Sequence, residues 1–102
     1  MKEEKLIVKV WAVREGEFMV AVCDPQLLGK KFSEGRLLLD VNEAFYKGEL
    51  VSTETAIDYL KKATVANLVG EVAVRCGKEA GLIHEDGIMT VNGIPHAQFV
   101  LI

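Results

Sequence analysis

STETAIDYLKKATVANLVGEVAVRCG, residues 52–77, sets the layer against which the rest of the chain must pack. Ala56, Ile57, Leu60, Thr64, Leu68, Val72 and Cys76 recur there at three- and four-residue spacings, the pattern of a helix with one buried stripe. Ser52 with Glu54 offers the start, because a serine oxygen accepts from the free amides of a first turn and an acid complements the helix dipole. Gly77 and Gly81 mark the end. The spacing predicts helix throughout, its stripe facing a sheet. Thr64 can cap a second helix or sit inside the first, so one helix or two both stand.

On the C-terminal side, Ile88 to Val91, Asn92-Gly93 and Ile94 to Ile102 read as a hairpin, since Asn-Gly suits a two-residue turn with positive φ. Pro95 lacks a ladder donor and belongs near the strand start or on an edge. On the N-terminal side, Leu6, Val8, Val10 and Ala12 alternate with Lys9 and Trp11, as a strand with one buried face requires. Glu15-Gly16 then turns the chain into the apolar run Phe18 to Cys23, giving a first hairpin.

Between hairpin and helix, Asp24-Pro25 opens a short helix, and Gly29 and Gly35 bracket Lys30 to Glu34. Leu37 to Val41 reads as a strand buried on both faces, and Asn42 caps a helical turn through Phe45-Tyr46 that Gly48 ends. The order is that of a single α+β domain over residues 1–102. It has an antiparallel or mixed sheet, N- and C-terminal hairpins, and helices packed on one face.

At 102 residues, half of them apolar and 26% charged, the chain has the balance of one globular core. No apolar run approaches the roughly 20 residues of a membrane span. MKEEKLIVKVW carries an acidic pair and alternating apolar residues where an export signal would be basic with a continuous apolar stretch, so a cytoplasmic protein is expected. Cys23 and Cys76 form no CxxC pair and suit a reducing compartment, although one disulfide between them stays open. A net charge of -3 argues against binding nucleic acid by bulk electrostatics. Lysine and glutamate total twenty against five asparagines and glutamines, a bias seen in hyperthermophile proteins.

Few residues announce chemistry. Gly29-Lys30 fails as a phosphate loop, because Asp24 and Lys31 stand where glycine and a hydroxyl are needed. His84, Glu85, Asp86 and His96 lack metal-ligand spacing, and nothing calls for a cofactor. Cys23, at a strand end before a helix start, has the setting of an activated thiol with His96 as its base, but also that of a small buried hydrophobe. Asn67 interrupts an apolar stretch that Gly70 weakens; local hydrogen bonding with close packing, or a ligand, would compensate equally. Alternation places His96 and Gln98 on one face with Ile94, Val100 and Ile102, where they could meet a partner or satisfy buried backbone.

ATVANLVGE (63–71) and GIPHAQ (93–98), with LLGKKF (27–32) and FYKGEL (45–50) before them, resemble the small archaeal proteins grouped as domain of unknown function 424. The resemblance implies an archaeal, cytoplasmic, single-domain protein and brings no catalytic or ligand role to any residue. Tyr46, Glu49, Asn67, His96 and Gln98, joined by Lys30, Lys31, Lys61 and Lys62 if these share a face, suggest a non-catalytic binding module for RNA or the translation machinery. Two alternatives stand beside it. One is a small-molecule enzyme or ligand sensor using Cys23 or His96, with Glu49 or Asp24 as partner. The other is a homo-oligomeric or protein-partner surface anchored by Trp11 and Phe99.

Overall fold

Alternation along Lys5–Arg14 builds the first strand: Leu6 and Val8 are buried, while Lys9 and Trp11 point to the opposite side. The protein is described by a computed structural model covering residues 4–102, so Met1 to Glu3 of the expected non-signal N-terminus lie outside the described residues. The elements run β1 (Lys5–Arg14), β2 (Glu17–Cys23), a 3-10 turn (Pro25–Leu27), β3 (Lys31–Glu34), β4 (Leu37–Asp40), α1 (Glu43–Tyr46) and β5 (Glu49–Ser52). They continue as α2 (Thr53–Lys62), β6 (Val65–Val69), α3 (Glu71–Glu79), a second 3-10 turn (Glu85–Gly87), β7 (Met89–Val91) and β8 (Ile94–Val100).

Six strands form one mixed sheet in the order β5-β1-β2-β6-β8-β7, and β3 and β4 form a separate hairpin. Every neighbouring pair is antiparallel except β2 with β6, and α2 carries the chain from the edge strand β5 across the sheet to β6. Both expected terminal hairpins are present. Gly16 at φ 81° turns the first, and Asn92 and Gly93 at φ 50° and 80° turn the second. Pro95 is the second residue of β8, near the strand start as expected, and its carbonyl accepts from Gly70 N–H at 2.9 Å.

The sheet divides two cores. α2 and α3 cover one face, burying Leu60, Ala73 and Cys76 against Leu6, Val8, Val20, Val22, Leu68 and Ala97. On the other face α1, the first 3-10 turn and the β3–β4 hairpin bury Ala21, Cys23, Val69 and Val91 under Leu27, Leu39, Val41 and Tyr46. Glu34 ties the hairpin down by accepting from Asn92 N–H at 2.6 Å.

Four expectations change. Residues 65–69 are a central strand and not helix, so the stripe through Leu68 is coincidental: VANLV has valines that suit a strand, and Thr64 and Gly70 bound it. Leu37 to Val41 is not a doubly buried strand, because Leu37 and Leu38 are 44% and 67% exposed on the outer hairpin and only Leu39 and Val41 turn inward. Gly77 lies inside α3 under Ile83 and Leu68, and Gly81 at φ 81° follows the helix end. Asp24 makes no cap on the turn it precedes. Ser52 and Asn42 do cap as expected, accepting from Thr55 N–H and Ala44 N–H.

Candidate functional site

The face opposite α2 and α3 is only partly covered, and the strand register orders what is left. Cys23, Val69, His96 and Met89 lie across β2, β6, β8 and β7 in one row. Ala21, Asn67 and Gln98 form the next, and Met19, Val65 and Val100 the third. Cys23, Val69 and Ala21 are sealed beneath α1 and the hairpin. Asn67, His96, Gln98, Met19, Val65 and Val100 stay partly or fully exposed.

The segments around Asn67 and His96 therefore meet. Gln98 Nε2 donates to Asn67 Oδ1 at 2.8 Å across the β6–β8 ladder, so a polar residue that looks costly in a helix is satisfied in a strand. The bond leaves the Asn67 amino group and the Gln98 carbonyl free to face a partner. Burial among neighbouring strands lowers the His96 pKa below its ordinary 6.5, which keeps the imidazole neutral at pH 7.

Beside this patch, Trp11 stacks on Phe45 with centroids 5.9 Å apart and donates from Nε1 to the Phe45 carbonyl at 3.2 Å. Lys9 Nζ lies 4.9 Å from the Trp11 ring centroid. Trp11 is thus held against the protein and is no free-standing anchor. Phe99 likewise packs on the helix-side core.

The other proposed residues do not gather here. Tyr46 is buried edge-on to Phe45, its centroid 4.8 Å away, and burial with the nearby Cys23 pushes its hydroxyl to about 12. Glu49 lies opposite Val8 on the edge strand β5, which puts it on the helix-side face. Lys30 and Lys31 lead into the covering hairpin, whereas Lys61 and Lys62 end α2 on the far side, so the four lysines share no face.

Cys23 is wholly buried, and desolvation followed by the Asp24 charge pushes its thiol to about 12, the reverse of an activated nucleophile. β6 intervenes between it and His96. The cysteines lie in cores on opposite faces and are both free, which answers the disulfide question. Among the described residues no three histidine, cysteine or acidic side chains gather as a metal would need.

Sequence reasoning missed the role of Asp24. Its carboxylate, 3% exposed, accepts from Val72 N–H at 3.2 Å and Ala73 N–H at 2.8 Å, capping α3 from 48 residues away. Gly70, the residue before α3, has φ 110°, and a Cβ there would stand 2.3 Å from the Asp24 carboxyl carbon. That contact accounts for the glycine. The only sequence signal was a glycine in VGE where a helix start would carry its own cap.

A mixed six-stranded sheet with two helices on one face and a half-covered second face defines a small α+β protein. The chain belongs to the family described as protein of unknown function (DUF424), whose model matches residues 13–102. It is similar to a solved structure described as an uncharacterized conserved protein from the archaeon Methanopyrus kandleri. That likeness has a TM-score of 0.79 and 26% identity, and covers 93% of this chain and 90% of that one. No curated protein matches the chain. Among the described residues no helix is long and apolar enough to cross a membrane.

Proposed function

We propose that this is a non-catalytic binding module of the archaeal cytoplasm, and that the patch of Asn67, His96 and Gln98 takes unpaired RNA bases. The observation that carries the reading is the Asn67–Gln98 pair, held at 2.8 Å beside a neutral imidazole on an uncovered sheet face. Met19, Val65 and Val100 extend that face with apolar surface on which a base can lie. A donor and an acceptor held side by side match the edge of a base, and a rigid ladder keeps them aimed. Free, buried cysteines suit a reducing compartment.

With a net charge of -3 the affinity comes from base contacts more than from phosphates. Binding is therefore weak and changes little with salt, unlike that of basic RNA-binding domains. Fluorescence anisotropy with single-stranded and duplex RNA oligonucleotides of equal length checks this. The single strand binds the wild type, and Gln98→Ala or Asn67→Ala weakens it by about tenfold, near 1.4 kcal/mol. Equal binding to duplex, or none in 50 mM salt, sinks the RNA reading.

A further inference from the structure

β1 is ten residues long, yet its outer neighbour β5 pairs only with Lys5 to Val8. From Lys9 to Arg14 the strand pairs with β2 alone, and among the described residues no other segment bonds to its backbone. The sheet thus ends in about six residues of open edge, the kind of ladder that folded proteins usually cover or charge.

The same stretch borders an apolar cleft. On the helix side, where α2 stops short of the hairpin tip, Val10, Phe18, Val20, Tyr59 and Lys62 line a hollow of about 160 Å³. Val10 and Phe18 are 40% and 45% exposed although they continue the buried face of Leu6 and Val8. We infer that this edge is a docking site for an extended segment of another protein, with acidic and apolar residues in alternation, which adds to the sheet beside β1.

Each part of the occupant follows from a feature of the edge. Open backbone groups call for a strand, because only a second main chain supplies donors and acceptors at the ladder spacing. Alternation then puts every second side chain on the helix side, where an apolar group enters the cleft beside Val10. The intervening side chains fall on the face of Lys9, so acidic residues complement it, and the apolar ones lie along Val10, Phe18 and the aliphatic stem of Lys62. A second copy of this chain fits poorly, because Lys9 to Arg14 offers two cations and no acid to complement Lys9.

Titration of isotopically labelled protein with an acetylated, amidated heptapeptide of alternating glutamate and leucine tests the site. Amide resonances of Lys9 to Arg14 shift and their hydrogen exchange slows, and Phe18→Asp weakens binding by about tenfold while the spectrum stays that of a folded protein. The same peptide with lysine for glutamate, or with alternate amides N-methylated, fails to bind. The inference is overturned if those amides do not respond. Equal binding by the N-methylated peptide also overturns it, since the cleft then acts without strand addition. So does light scattering that shows the unliganded protein already paired through this edge. RNA binding at Asn67 and Gln98 is read separately, so either idea can fail alone.

Discussion

At the scale of single residues, Asp24 is the polar group on which the second half of the fold leans. Its carboxylate is buried to give α3 a cap that the glycine before the helix cannot supply. Asp24→Ala leaves the Val72 and Ala73 amides without their acceptor, and the expected loss is about 2 kcal/mol in urea unfolding. A change of similar size at an exposed acid such as Glu54 should be within about 0.5 kcal/mol. The pairing of Asp24 with α3 was not legible in the sequence. A local signal, Asp-Pro, pointed at the adjacent turn, and the actual partner is brought near only when β2 and β6 lie side by side.

At the scale of elements, the telling pair is β5 and β6. Residues 65–69 satisfy a helical stripe and a strand equally well, because five residues offer too few positions to distinguish the two periods. Burial on both sides decided it: Ala66 and Leu68 face the helices, and Val69 faces the second core. β5 was hidden by the expectation that Gly48 ends a helix, whereas Lys47 is the residue that closes α1. Gly48 is needed for space. A Cβ there would lie 2.1 Å from the Val8 carbonyl oxygen and 2.9 Å from Lys9 Cα, both rigid backbone. Gly48→Ala should therefore push β5 off β1, costing about 3 kcal/mol or more. Hydrogen exchange checks it, with protection lost at Leu6 and Val8 before it is lost in β6.

At the scale of the whole molecule, two titrations of opposite sense shape stability against pH. The Asp24 pKa is raised from 3.8, burial outweighing the two amide bonds, so the folded state holds that proton more tightly than the unfolded chain. Its contribution is full below 3.8 and is lost as pH rises through the folded value. The His96 pKa is lowered from 6.5 by burial, so its contribution is full above 6.5 and is lost as pH falls through the folded value. Urea unfolding across pH 3 to 8 should separate them. His96→Gln flattens the loss on the acidic side of 6.5, and Asp24→Asn removes the fall above 3.8. What the sequence by itself determined is local: both terminal hairpins, the Ser52 and Asn42 caps, the class of fold, and the meeting of polar residues on one strand face. Each follows from turn chemistry, capping or period-two alternation within about ten residues. The tertiary structure alone decided that Asn67 pairs with Gln98, that Asp24 caps α3, that Tyr46 and Cys23 are sealed away, and that half of β1 is left open. Those outcomes depend on which strands become neighbours and which face the covering layer reaches, and residues 31 to 49 positions apart in sequence carry no local trace of it.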